Sequence, residues 1–519
     1  MGVPQISKKP AVICTPLMAQ SVEQMASQMY QAKEQGADLV ELRLDCLQNF
    51  QACRDLEFLL RHKPLPVVVV YRKKCEGGEH EGDEGSRLEA LHLANKLGAD
   101  YVEFELKVAH DLIQEGKFSS HGNSEIIVSF YLDGSAPKKE DLSEIIARLQ
   151  STNADLIKLV TKAADITELE RIFHLLSHSQ VPMIAYSTGE RGLISQILCP
   201  KFGGYFVYGS IRGHSMPGLP TLDSLREAYK VGHVNVDTKV YGLISKPVSH
   251  SKGFILHNPA FRFVGYNGIY VPMFVDDLEE FFDVYSSDDF AGFSVGIPYK
   301  EAAIRFCNEV HPLAQLIGAV NTIIRRPCDG KLIGYNTDCE AAITAIEDAL
   351  SAQGCSSRNT ILSPVLAGKM FVLVGAGGAG RALAFGAKSR GAQLVIFDID
   401  YDRAKSLACA VSGEALPYGE LVNFQPEKGA ILANATPLGM HQSADRIPVD
   451  EATLGDYQLV FDSVYTPRKT RLLKEAEAAG AIVVSGVEMF LRQAMGQFRL
   501  FTCCEAPEVL MREIVLTKF

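Results

Sequence analysis

Between residues 11 and 211, short apolar runs alternate with longer segments at a spacing of roughly 25 residues, which suits one strand and one helix per repeat. The runs are Ala11 to Thr15, Leu39 to Leu44, Val67 to Tyr71, Tyr101 to Leu106, Ile126 to Tyr131, Leu156 to Thr161, Met183 to Ser187 and Tyr205 to Ser210. Ser21 with Gln24 and Ser86 with Glu89 read as capping boxes that open helices between them. Eight such pairs over about 220 residues predict a (β/α)8 barrel with its site at the C-terminal strand ends. An open doubly wound sheet fits the same alternation.

The polar stretch Lys230 to Val240 marks a domain boundary. A second α/β region runs from Tyr241 to about Asn336, Ser351 to Ser363 reads as a surface loop, and Glu488 to Phe501 as a closing helix. The expected fold is α/β throughout. A barrel at 9–229 precedes a two-subdomain α/β region, made of one part at 236–345, completed by 488–519, and a Rossmann unit at 364–487.

The Rossmann assignment rests on Lys369 to Asp398. An apolar strand, Met370 to Val374, stops at Gly375, Gly377 and Gly380, with Ala376, Gly378 and Ala379 between them; Arg381 to Ser389 then reads as a helix and Leu394 to Phe397 as a strand. Gly375 allows a tight turn, Gly377 a close approach to pyrophosphate, and Gly380 the packing of helix on strand. Asp398 follows roughly 20 residues on, where a carboxylate binds ribose hydroxyls and repels a 2′-phosphate. Asp400 stands beside it, and the pattern reads as NAD, with NADP the weaker fit.

Bulk properties narrow the partners. The chain has 519 residues, 47% hydrophobic and 22% charged, in the range of a soluble multidomain protein. A net charge of -11 argues against nucleic acid or an anionic membrane. Small molecules are the expected partners, and the domain series is expected to form a monomer. The 12 cysteines are scattered, and Cys503 with Cys504 forms neither an easy bridge nor a CxxC site, so reduced thiols and no metal are expected. No apolar run reaches the length of a membrane span, MGVPQISKKP lacks an h-region, and Ile6 stands where a myristoylation signal has Ser or Thr. A cytoplasmic protein is the default expectation, or a chloroplast one whose transit peptide is not in this sequence.

Hydride transfer needs a titratable group beside the carbinol, and Lys300 in SVGIPYKEA and Asp338 in GYNTDC are candidates. Spacing alone favours a surface charge at each. The series SKPVSHSKG, FSVGIPYKEA, GAVNTI, GYNTDC, GAGGAG, NATPLGM and GVEMFLRQA, however, resembles shikimate dehydrogenase along the whole second half. The first half, with ELRLD, YRKKCEGG, ADLIKL, GERG and SMPGLPT, resembles type I dehydroquinate dehydratase. Fused in this order, the two resemble the plant bifunctional 3-dehydroquinate dehydratase/shikimate dehydrogenase family. The resemblance implies a catalytic pair Lys300 and Asp338, with Ser251 on the ring carboxylate, Asn321, Tyr465, Gln493 and Gln497 around the substrate, and Asn434 and Thr436 at the cofactor.

Two departures from that pattern lie beside the carboxylate. Gly253 stands where the family usually has Ser, and Gly296 where it usually has Thr. Both delete a side chain, and the extra room is expected to suit quinate, whose C1 carries a tertiary hydroxyl and an out-of-plane carboxylate. With Asp398, Ile399 and Asp400 in place of the usual Asn-Arg-Thr, the quinate dehydrogenase subgroup is the expected fit.

For the barrel, the resemblance implies a Schiff-base lysine, Lys158, whose burial would lower its pKa, and substrate-holding Glu41, Arg43, Arg72, Arg191 and Ser215. Tyr131 stands at the family's proton-transferring histidine, and Leu219 replaces its Gln. The expected function is therefore NAD-dependent interconversion of quinate and 3-dehydroquinate beside a barrel of reduced or absent dehydratase activity. The alternative is the bifunctional dehydratase and NADP-linked shikimate dehydrogenase; a non-catalytic metabolite-binding protein is a third class.

Overall fold

The computed structural model describes residues 11–114, 124–132, 139–214, 218–248, 251–353, 364–440 and 443–518. The chain divides into two compact units, Met1–Lys239 with Val271–Asp289, and Val240–Tyr270 with Phe290–Phe519.

The first unit holds eight parallel strands: β1 (Val12–Leu17), β2 (Leu39–Arg43), β3 (Val67–Val70), β4 (Tyr101–Glu105), β5 (Glu125–Tyr131), β6 (Leu156–Lys162), β7 (Met183–Thr188) and β8 (Phe206–Tyr208). Their order is β7-β6-β5-β4-β3-β2-β1-β8. The seam between β7 and β8 is bridged by the Tyr205 N–H, which donates to the Met183 carbonyl at 2.9 Å, so the sheet is a nearly closed barrel and the open-sheet alternative falls away. Runs such as Val67–Val70, buried at every position, form these strands because helices cover one side while the barrel interior fills the other. Ser21 caps the helix Val22–Glu34 as expected, accepting from the Gln24 N–H at 3.2 Å. At the other expected box the cap is Asp83, which accepts from Ser86 N–H at 2.8 Å; Ser86 lies within the first turn. A carboxylate facing a helix N-terminus outcompetes a hydroxyl there.

A mixed sheet has the order β10-β9-β11-β13-β14-β12, from β9 (Lys239–Ser245), β10 (Gly268–Phe274), β11 (Phe290–Val295), β12 (Glu309–Val310), β13 (Thr322–Arg325) and β14 (Leu332–Tyr335). A parallel sheet follows with β15 (Met370–Val374), β16 (Gln393–Asp398), β17 (Glu414–Pro417), β18 (Ala430–Asn434), β19 (Tyr457–Asp462) and β20 (Ile482–Ser485). Its order, β17-β16-β15-β18-β19-β20, reverses direction at β15, the switch point at which dinucleotides bind. The nucleotide-unit helix begins three residues before the expected Arg381, at Gly378–Ser389, and the closing helix spans Gly486–Thr502. No helix among the described residues is long and apolar enough to cross a membrane.

Candidate active sites

In the second unit, Lys300 follows β11 and Asp338 opens the helix Asp338–Gln353. The Asn336 side-chain oxygen accepts from the N–H groups of Asp338 and Cys339, each at 3.1 Å, which pins the carboxylate at the helix start. Lys300 Nζ then donates to Asp338 Oδ2 at 2.5 Å, so the fold pairs two residues 38 positions apart. The surface-charge reading fails for Asp338, which is 3% exposed.

Around this pair runs a continuous polar network. The Asn321 amide donates to Thr337 Oγ1 and its carbonyl oxygen accepts from Thr337 N–H, both at 2.8 Å. Gln497 donates to the Asn321 backbone carbonyl at 3.1 Å and accepts from the Ser294 hydroxyl at 2.9 Å. Gln493 lies one turn before Gln497 on the closing helix, and Tyr465 packs its ring 4.8 Å from Phe490 of the same helix. Ser251 is half-buried, its hydroxyl accepting from the Gly253 N–H at 3.3 Å.

The glycine loop fits a dinucleotide. Gly375 has φ +103, and a Cβ there would stand 2.9 Å from the Ala435 backbone. A Cβ on Gly380 would fall 1.9 Å from the Gly375 carbonyl oxygen, whereas one on Gly377 would meet nothing nearer than an Arg403 nitrogen at 3.9 Å. Two glycines are therefore dictated by packing, and the third leaves an open backbone face. The helix behind it has no side-chain cap, so its first N–H groups are free for an anion. Gly378 also abuts the Lys300 stem, a Cβ there lying 3.1 Å from Lys300 Cβ, which sets the loop beside the Lys300–Asp338 pair. Asn434, at the end of β18, accepts from the N–H of Thr436 at 3.0 Å and its hydroxyl at 2.7 Å, and donates to Asp462 at 3.0 Å.

In the barrel, Lys158 is fully buried on β6 between two carboxylates, Glu41 of β2 and Glu103 of β4, each 2.8 Å from Nζ. Tyr208 donates to Glu41 and Tyr131 to Glu103, both at 2.9 Å. Arg72 donates to the Tyr131 hydroxyl, lies over its ring, and stands 3.6 Å from both carboxylates. Burial alone would lower the Lys158 pKa, as expected from its strand position, yet Glu103 and Glu41 outweigh it and hold it well above the usual lysine value. The expectation of a lowered pKa is thus corrected: the resting group is an ammonium. Burial would raise Glu41, but Lys158, Arg72 and Arg43 together bring it down to about 2. Burial pushes the Tyr131 hydroxyl well above the ordinary tyrosine range.

Not every expected residue joins this cluster. Arg43 forks onto Asp45 at 2.9 and 2.6 Å. Arg191 forks onto Asp276 at 2.5 and 2.9 Å. Ser215 lies outside the described residues, and Leu219 packs against the apolar core of the barrel. Glu103 and Tyr208 were missed in the sequence. Glu103 had a readable signal, a charge inside a buried strand, YVEFE, which it shares with Glu105. Arg72 Nε and Ser129 Oγ are buried without a protein hydrogen-bond partner, which leaves polar capacity for a ligand. Among the described residues no group of His, Cys, Asp and Glu is arranged to hold a metal.

The room expected beside Gly253 and Gly296 is not there. A Cβ on Gly253 would stand 2.9 Å from the Tyr270 ring, and one on Gly296 2.8 Å from Ser245 Oγ. Neighbouring strands supply what the two positions lack. The acids expected to exclude a 2′-phosphate are also engaged: Asp398 accepts from Ala376 N–H at 2.6 Å and Asp400 N–H at 2.9 Å, and Asp400 caps the helix Tyr401–Val411. Arg403 of that helix, paired with Glu301, brings a cation to the Gly377 face.

Residues 13–236 match the type I 3-dehydroquinase family and residues 243–323 the shikimate dehydrogenase substrate-binding domain. The chain is 50% identical over 517 residues, 99% of its length and 86% of the relative's, to the bifunctional 3-dehydroquinate dehydratase/shikimate dehydrogenase, chloroplastic, of Arabidopsis thaliana. Over 54% of the chain and 97% of the relative it is 38% identical to the shikimate dehydrogenase (NADP(+)) of Methanopyrus kandleri. A crystal structure of shikimate dehydrogenase with NADP+ (33% identity, 55% of this chain and 96% of that one) has a TM-score of 0.47. The quinate dehydrogenase of Corynebacterium glutamicum with NAD (29% identity, 54% and 99%) scores the same 0.47. The full-length relative overturns the expectation of a quinate dehydrogenase with a silent barrel, and the NADP(+)-named relatives overturn the preference for NAD.

Proposed function

Because the chain belongs to the bifunctional 3-dehydroquinate dehydratase/shikimate dehydrogenase family, we propose that it dehydrates 3-dehydroquinate in the barrel and interconverts dehydroshikimate and shikimate with NADP(H) in its second unit. The observation that carries this reading is the full-length kinship together with a reactive cluster in each half. The barrel would occupy 9–229, the substrate-binding part 236–345 with 488–519, and the nucleotide part 364–487.

In the barrel, Lys158 would attack the substrate ketone as a free amine, and the carboxylates at 2.8 Å are the immediate acceptors of its ammonium proton. Loss of water from the adduct leaves an imine. Elimination then requires a carbon-bound proton to leave and the departing hydroxyl to gain one. Tyr131 keeps its proton and suits the donor role; Glu103, bonded to both Tyr131 and Lys158, suits the acceptor role. Histidine is absent from this place, but a proton relay is not.

In the second unit, a nicotinamide cofactor, when bound, would supply hydride acceptance and return. Lys300, oriented by Asp338, would hold the substrate hydroxyl and pass its proton. Ser251 would bind the ring carboxylate, with Asn321, Tyr465, Gln493 and Gln497 around the hydroxyls. Arg403, at the open face of Gly377, would add a cation beside the pyrophosphate of the bound dinucleotide.

The test is an initial-rate assay of shikimate and quinate, each with NADP and NAD, beside a dehydratase assay that follows the conjugated enone formed from dehydroquinate. Dominant shikimate and NADP turnover with enone formation is expected. Turnover confined to quinate and NAD, with dehydroquinate left intact, would overturn the proposal.

A further inference from the structure

Gly296 has no torsional reason to be glycine. Its φ lies outside the left-handed region, so an L side chain is permitted by the backbone. What excludes one is Ser245. β9 and β11 are parallel with Ile244 opposite Val295, which brings the next residues, Ser245 and Gly296, level at the strand ends. A Cβ on Gly296 would lie 2.8 Å from Ser245 Oγ and 3.0 Å from Ser245 Cβ.

The hydroxyl that takes this space is engaged. Ser245, 7% exposed, directs Oγ–H between the carbonyls of Ile297 at 2.9 Å and Pro247 at 3.0 Å. Backbone bonds flank the strap: Gly296 N–H donates to Ile244 at 2.8 Å and Lys246 N–H to Ile297 at 3.1 Å. Ile297 lies three residues before Lys300, and Pro247 four before Ser251. One side chain thus ties together the two segments that carry the hydroxyl-holding and carboxylate-holding residues of the proposed site.

We propose that Ser245 is a positioning residue for substrate in the dehydrogenase site and that Gly296 is its steric complement, so that bulk and hydroxyl are supplied from β9 instead of β11. The inference rests on the proposed dehydrogenase function and names a specificity determinant within it. The pair behaves as a unit. A side chain at 296 is accommodated only when the one at 245 is withdrawn.

Ser245→Ala, Ser245→Gly, Gly296→Thr and the double variant Ser245→Gly/Gly296→Thr, each in the full chain, test this by steady-state kinetics with shikimate and NADP. Gly296→Thr is expected to raise KM for shikimate about tenfold or more with kcat within about threefold, and the double variant to return KM to within about threefold of the parent. Ser245→Ala, which frees the strap without a clash, is expected to raise KM about fivefold while the thermal midpoint moves by no more than about 2 °C. An effect of Gly296→Thr that is the same in the parent and in the Ser245→Gly variant would overturn the coupling. A Ser245→Ala variant with the parent's KM would overturn the positioning role. If the parent itself does not oxidise shikimate, the functional reading fails separately, and the pair is then judged on thermal midpoints, where additive shifts overturn it and rescue supports it.

Discussion

Replacing Lys158 with Met removes the one cation that directly bonds both buried carboxylates and keeps the side-chain volume similar. Glu41 and Glu103 have side chains 3% exposed, and after the change they share only Arg72, 3.6 Å from each. Removing one partner from a buried ionic cluster costs about 3–5 kcal/mol, because the remaining charge stays out of water. The penalty depends on pH with a definite sign. In the parent, Glu41 sits at about 2 against an ordinary 4.5, so its stabilisation is complete above 4.5 and is lost as pH falls toward 2. In Lys158→Met one carboxylate relieves the repulsion by taking up a proton, so the folded variant binds more protons than its unfolded chain and loses stability as pH rises. Urea unfolding followed by far-UV circular dichroism at pH 5 and pH 8 should therefore show a deficit that widens at pH 8. Dehydroquinate turnover should vanish while shikimate oxidation persists. A variant as stable as the parent at both pH values would refute the account of the cluster; loss of both activities together would refute the separation of the two sites.

Arg403→Glu should raise KM for NADP and for NAD alike, about tenfold or more, by putting a negative charge at the pyrophosphate face of Gly377; an unchanged KM for both cofactors in initial-rate assays would count against that placement. Gly380→Ala places a methyl 1.9 Å from the Gly375 carbonyl and should abolish dinucleotide binding by calorimetry while lowering the thermal midpoint; unaltered affinity would contradict the packing argument. Burial holds His257 at about 4, stacked 4.6 Å from Tyr270, so it is neutral in the fold at pH 5 while the unfolded chain is protonated. Stability from this group is present above 6.5 and lost toward 4, by about 3 kcal/mol, so His257→Gln should flatten part of the acid side of the unfolding profile. Asp462, pushed up to about 6 by burial, works in the opposite direction between about 4 and 6, so the comparison is of parent with variant at each pH; a gap constant from pH 4 to pH 7 would refute the assignment.

Much of the architecture was legible along the chain because it is written in local repetition. Eight apolar runs, such as Val67–Val70, became the barrel strands, and the order of strand, glycine loop, helix and strand at 370–398 became the switch-point unit. Lys300, Asp338, Glu41 and Lys158 could be named because their motifs are contiguous. Three things were decided only by the fold. The charge state of Lys158 follows from Glu41 and Glu103, which lie 117 and 55 residues away in sequence. The space at Gly296 and Gly253 is set by Ser245 and Tyr270 on neighbouring strands, so two missing side chains do not make a larger pocket. The backbone partners of the acids at 398 and 400, the N–H groups of Ala376, Asp400 and Arg403, are set by how the glycine loop and the next helix start fold. Sequence determines which groups are present and which elements carry them. Electrostatic and steric consequences fall off within a few ångströms, and neighbours at that range are chosen by tertiary packing.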